Sequence, residues 1–210
     1  MTEPTGRSWD CRHEGRHRGV HLEGVLQLFA GDIDPHQWVA RGAIGAGAQG
    51  RSHLAAMMEV RDIQKVTVYD QRREAAKKYQ KEMEEKYKIP VMVCDSVEEA
   101  GKGAEIICTV TPSKEPYLKA EWITPGAHIN AVGAFTPNTR EIESSLMAKA
   151  KLYADQVEAM RKECGEYLVP LQEGLIGPDH IVGSLGDVLL GRVPGRSSGE
   201  EITLFDALGL

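Results

Sequence analysis

The chain has 210 residues and a mass of 23.1 kDa, with 41% hydrophobic, 27% charged and only 6% aromatic residues, enough to bury roughly 70% of its unfolded surface without disulfides or metals. A net charge of −6 and a pI near 5.7 argue against a nucleic-acid partner, which wants a basic face. No apolar run approaches the ~18 residues of a membrane span, and the N-terminus has no apolar signal core, so the chain is read as soluble and cytoplasmic.

The four cysteines, Cys11, Cys94, Cys108 and Cys164, include no CxxC pair, which suggests neither a zinc knuckle nor a disulfide framework. Residues 1–42 stand apart in composition. Their basic residues are five arginines and four of the seven histidines, and the first lysine is Lys65. His13, His17 and His21 recur at i, i+4 and i+8, as metal ligands on one helix face would. Gly15 and Gly19 make that helix poor, and no carboxylate or cysteine completes a ligand set. No metal site is expected, and the stretch is read as a leader, either disordered or frame-disrupted.

From Val39 onward short β-rich runs alternate with helical ones. Val39 to Ile44 predicts a strand, although Arg41 and Gly42 are poor formers of a buried one. Arg51 to Val60 predicts a helix, and Lys65 to Asp70 a second strand with an acid at its tip. In Arg72 to Tyr87 the apolar positions Ala75, Ala76, Tyr79, Met83 and Tyr87 step by three and four, an amphipathic helix. Pro90 to Cys94 is a third strand, after which Ser96-Val97-Glu98-Glu99 reads as a capping box. Further strands are expected at Glu105 to Val110, Ala127 to Val132 and Lys151 to Asp155, with a helix from Arg140 to Ala150. The last third reads as helix-compatible pieces broken by Gly and Pro, with a loop over residues 191–199. This alternation predicts an α/β fold with a Rossmann-type, doubly wound parallel sheet.

Gly45-Ala46-Gly47-Ala48-Gln49-Gly50 lies between a strand and a helix, and Asp70 ends the next strand 20 residues past Gly50. In that context each residue has a task. Gly45 makes the tight turn, Gly47 leaves room for a pyrophosphate, and Gly50 permits close helix packing. The helix N-terminus receives the anion. Asp70 would accept from ribose hydroxyls and repel a 2′-phosphate, favouring NAD over NADP. Arg72 and Arg73 pull the other way, since an arginine there can grip that phosphate. Thr109, Thr111, Ser113, Gly133, Ala134, Phe135 and Thr136 fall at carboxyl ends of strands, where open α/β sheets bind ligands. His53 and His128 are acid–base groups by chemistry, but their places on a helix and inside a strand read as structural. His180 reads as a loop residue.

The stretches Gly45–Gly50, Ala104–Ser113, Pro125–Gly133, Arg140-Glu141, Gly191–Arg196 and Ile202–Gly209 together resemble the ornithine cyclodeaminase/mu-crystallin family, over residues 43–210. The resemblance implies a dinucleotide-binding domain at 43–155 and a truncated C-terminal return segment at 156–210. It also implies hydride transfer at the C–N bond of an amino acid or imine, with NAD as cofactor and NADP as the alternative. Gly45, Gly47, Ala48, Gln49, Gly50, Asp70, Arg72, Thr111, Val132, Gly133 and Ala134 are the expected cofactor contacts.

Family ornithine cyclodeaminases carry a catalytic aspartate where this chain has Phe135, a lysine at Thr139 and a serine at Ala207. Ornithine cyclisation is therefore not expected, and no catalytic residue is assigned. Members are homodimers with about a hundred residues before the glycine loop, which residues 1–42 do not resemble. The expectation is an incomplete chain with little activity alone, lacking most of the dimer domain. The alternative is a non-enzymatic nucleotide- or small-ligand-binding protein of the mu-crystallin type.

Overall fold

The computed structural model describes residues 39–209, and the His13, His17, His21 spacing lies outside the described residues. Strands β1 (Val39–Ile44), β2 (Ile63–Tyr69), β3 (Val91–Val93), β4 (Ile106–Thr109), β5 (His128–Ala131), β6 (Lys151–Ala154), β7 (Ile181–Ser184) and β8 (Thr203–Asp206) form one sheet in the order β3-β2-β1-β4-β5-β8-β6-β7. Every pairing is parallel. The connections carry helices α1 (Ala48–Val60), α2 (Arg73–Tyr87), α3 (Val97–Gly101), α4 (Ser144–Lys149), α5 (Val157–Glu163), α6 (Gly165–Gln172) and α7 (Leu185–Leu189). The chain runs outward from β1 to β3, then returns to β4 on the other side of β1. That reversal opens a crevice at the carboxyl ends of β1 and β4.

Consecutive residues of the central strands enter opposite cores. Ala43, Ile106 and Cys108 pack with Leu54, Met57 and Tyr79 on the α1–α2 side, whereas Ile44 and Ile107 pack with Leu118, Leu146 and Leu204 on the other. Burial on both faces explains why these strands read as continuous apolar runs. Helix α2 buries Ala76, Tyr79 and Met83, the stripe its spacing predicts. It ends at Lys88, which adopts the left-handed conformation (φ 58°) and donates its N–H to the Glu84 carbonyl. At α3 the Ser96 hydroxyl accepts the Glu99 N–H at 3.1 Å, while the Glu99 carboxylate turns back to the Asp95 N–H at 2.8 Å.

Two expectations are corrected. The helix expected from Arg140 starts at Ser144, because the Glu141 and Ile142 N–H groups are captured by the distant carboxylate of Glu166. Residues 140–143 instead run beside Leu118, which bridges Ile142. The segment after β6, read as helix-compatible pieces, holds two strands as well as helices: β7, and β8, which inserts between β5 and β6. The strand predicted at Val39 to Ile44 forms as β1 with those bounds. Among the described residues no helix is long and apolar enough to cross a membrane.

Gly42, a poor residue for a buried strand by propensity, is explained by packing. A Cβ there would lie 2.5 Å from the Ala100 carbonyl oxygen and 3.3 Å from the Ala104 Cβ, and the same carbonyl accepts the Thr67 hydroxyl at 2.8 Å. Helix α3 thus sits directly on the β1–β2 backbone. Gly42→Ala is expected to destabilise the fold by about 1–3 kcal/mol, the usual cost of overpacking, read as a lowered urea midpoint.

Candidate functional site

The turn after β1 bends at Gly45 (φ +108°), whose N–H donates to the Tyr69 carbonyl at 2.9 Å. A Cβ on Gly50 would fall 2.4 Å from the Gly45 carbonyl oxygen, so α1 closes tightly on the turn. Gly47 differs: its backbone is extended, and a Cβ would meet nothing within 4 Å. It caps α1 without a side chain, leaving first-turn N–H groups at the crevice. Ala48 is exposed and Gln49 half-buried on that first turn. Arg51, which sequence reading did not single out, braces the turn: its Nη1 donates to the Ala46 carbonyl and, at 3.0 Å, to that of Gly47, while its Nε donates to Glu82 at 2.7 Å.

Asp70 stands at the tip of β2. Its two carboxylate oxygens accept the Ala46 and Arg72 N–H groups, each at 2.9 Å. One bond per oxygen leaves lone pairs open, and Asp70 lines a cavity of about 500 Å³ together with Gly45, Gly47, Arg72, Thr111, Ser113 and Tyr117. The Arg72 side chain is 82% exposed, with Nε 3.8 Å from Asp70. Arg73 turns away to pair with Asp95. Val132, Gly133 and Ala134 follow β5 and are not on this cavity's wall. Gly133 nevertheless presses on it from behind, since a Cβ there would lie 2.1 Å from the Thr111 carbonyl oxygen.

Beneath the Thr111 and Gly133 loops lies a group of buried acids. The Glu141 carboxylate accepts the Thr111 N–H (2.6 Å) and hydroxyl (2.7 Å), the Tyr117 hydroxyl (2.6 Å) and the Gly133 N–H (2.9 Å). Glu166 accepts the Glu141 and Ile142 N–H groups, with Arg140 Nε 3.9 Å away. Asp206, at the end of β8, accepts the Cys164 thiol at 3.4 Å. Burial raises all three carboxyls, Glu166 to about 8, and the charge of Glu166 lifts Asp206 further. Sequence reading missed this group. Glu141 passed as the opening of a helix, and nothing local marks Glu166 or Asp206 as its neighbours.

The two candidate acid–base histidines are fully buried. His128 lies between the Thr203 hydroxyl (2.8 Å) and Asn130 (3.2 Å), and burial lowers it to about 3, so it stays neutral. His180 holds the Met147 carbonyl at 2.8 Å from its loop. Among the described residues no group of three or more acidic, histidine or cysteine side chains is placed to hold a metal ion.

The sequence model of the ornithine cyclodeaminase/mu-crystallin family matches residues 39–210. The alanine dehydrogenase of Archaeoglobus fulgidus is 40% identical over 169 residues, which is 80% of this chain and 51% of that protein. The ketimine reductase mu-crystallin of Mus musculus is 41% identical over 167 residues, 80% of this chain and 49% of its own. The solved structure of Thermococcus litoralis Delta(1)-pyrroline-2-carboxylate reductase in complex with NADH and L-proline superposes with a TM-score of 0.83 at 35% identity, covering 91% of this chain and 59% of that one. The chain thus spans about half the length of the curated relatives it matches.

The raised Glu166 carboxyl makes stability depend on pH. Between its unfolded value near 4.3 and its folded value of about 8, the unfolded chain has released a proton that the folded chain retains. Stability is therefore fully present at acid pH and declines as pH rises through that window. Glu166→Gln, which keeps an acceptor for the two N–H groups, is expected to flatten the decline between about pH 5 and 8 in urea titrations.

Proposed function

This chain belongs to the ornithine cyclodeaminase/mu-crystallin family, and from that premise we propose that it binds NAD(H) in the crevice at the ends of β1, β2 and β4. We further propose that it forms the cofactor-binding part of an oxidoreductase acting at the C–N bond of an amino acid or imine. The observation that carries this reading is Gly47, which faces open space at an uncapped helix start on the wall of a cavity of about 500 Å³. The cradle suits a dinucleotide. Backbone N–H groups of α1 would receive the pyrophosphate, and the open lone pairs of Asp70 would receive ribose hydroxyls. When bound, the nicotinamide supplies or accepts the hydride.

The resemblance adds Ala48, Gln49, Thr111, Val132, Gly133 and Ala134 to the contacts. Asp70 favours NAD, since a 2′-phosphate would meet its charge. Arg72, exposed beside it, is the residue that would admit NADP. Support for the substrate class comes from the reductase solved with NADH and L-proline and from the alanine dehydrogenase and ketimine reductase relatives. A second reading, ligand binding without turnover, is favoured by Phe135. This side chain, 46% exposed in the loop four residues past β5, has no proton to give where the resemblance puts an aspartate.

Gly47→Ala tests the first reading, because its Cβ meets no protein atom. It is expected to leave the melting temperature within about 1 °C while weakening NADH binding at least about tenfold, roughly 1.4 kcal/mol. Unchanged affinity would remove Gly47 from the site. Asp70→Ala is expected to weaken NADH binding by about tenfold or more, given about 1.5–3 kcal/mol for hydrogen bonds to a charged group, and to narrow the preference over NADPH. Both are read by nicotinamide fluorescence titration.

A further inference from the structure

We propose that Glu141 is a positioning residue of the nucleotide site, its carboxylate latching the loop after β4 to the loop after β5 so that Thr111 is held at the cavity wall; the proposal rests on the NAD-binding reading above. The contacts divide between the two oxygens. Oε1 takes the Thr111 N–H, the Thr111 hydroxyl and the Tyr117 hydroxyl, while Oε2 takes the Gly133 N–H. Thr111 and Tyr117 line the cavity, whereas Glu141 is fully buried behind them and touches no cavity space. Gly133 and Thr111 are already so close that no side chain fits between them; the Val132 N–H donates to the Thr109 carbonyl at the strand ends, and beyond that bond Glu141 reaches both loops from below. A carboxylate is suited to this task because all four partners are donors and it is acceptor-only when ionised.

The latch is itself held from behind. Glu166 fixes the Glu141 backbone N–H, and the Arg140 side chain donates to the Ile142 carbonyl (3.0 Å) and the Ser144 hydroxyl (2.9 Å). The ionisable groups surrounding Glu141 are therefore Tyr117 in front, with Arg140, Cys164, Glu166 and Asp206 behind. Burial raises the Glu141 carboxyl, and the hydroxyls of Tyr117 and Thr111 oppose that rise. A proton on Oε2 would set an O–H against the Gly133 N–H, which can only donate, and release that loop, whereas a proton on Oε1 would require the Thr111 or Tyr117 hydroxyl to turn from donating to accepting.

The test is calorimetric titration of the full 210-residue chain with NAD+ from about pH 4.5 to 8, alongside urea unfolding. Wild type is expected to lose affinity on the acid side. Glu141→Gln keeps one acceptor for the Thr111 side and sets an amide N–H against the Gly133 N–H. It is expected to unfold cooperatively, bind NAD+ about tenfold more weakly at pH 7, in line with loss of one charge-assisted bond, and show no acid-side loss. Tyr117→Phe removes a donor that lowers the Glu141 carboxyl, so the acid-side loss should move to higher pH. A residue of purely structural importance would change stability without moving that profile. Wild-type affinity and profile in Glu141→Gln overturn the proposal. If that variant fails to fold, an unmoved profile in Tyr117→Phe overturns it instead. Absence of NAD+ binding by wild type at every pH is the distinct result that overturns the underlying reading, and this proposal with it.

Discussion

Four donors converge on the carboxylate of Glu141, and through them two loops that leave adjacent strands become one surface. The loops after β4 and β5 meet backbone to backbone at Thr111 and Gly133, too close for any side chain to pass. Their half-buried N–H groups would otherwise lack a protein partner. One acid from a segment 30 residues along the chain satisfies them. That segment in turn depends on Glu166, whose carboxylate takes the next two N–H groups. On this side, the order of the crevice therefore comes from inside the sheet's covering layer.

On the other side of the crevice the constraint is steric. Gly50 against the Gly45 carbonyl and Gly42 against the Ala100 carbonyl bring helix and strand backbones together on either side of β1. Asp70 then pins the turn by accepting the Ala46 N–H. What remains between these two halves is a cavity with a glycine opening, uncapped helix N–H groups and a carboxylate with spare lone pairs. Those features explain why a dinucleotide, with an anionic centre and ribose hydroxyls, suits the space.

How much of this could be read from the sequence follows from the range of the forces involved. The glycine loop, α2 and the central strands rest on spacing within a few residues, and Gly45, Gly47, Gly50 and Asp70 carry that spacing openly. Helix α4 was expected four residues too early because the competitor for its first N–H groups, Glu166, lies 25 residues on. β7 and β8 are four residues each, and β8 borrows its place from β5 and β6, which no local pattern announces. Gly42 read as a defect until the carbonyl of Ala100 accounted for it. The acids behind the site were illegible for the same reason: their meaning lies in neighbours brought together only by the sheet order.

An NAD(H) site at the carboxyl ends of β1, β2 and β4 would shield its backbone when filled. Hydrogen–deuterium exchange of the chain with and without saturating NADH tests it most directly. Slowed exchange is expected over residues 45–50, at 70–72 and at 109–113, with the loop at 132–134 following through its link to Glu141. Protection confined to another part of the chain, or no change at saturating NADH in a folded protein, would contradict it.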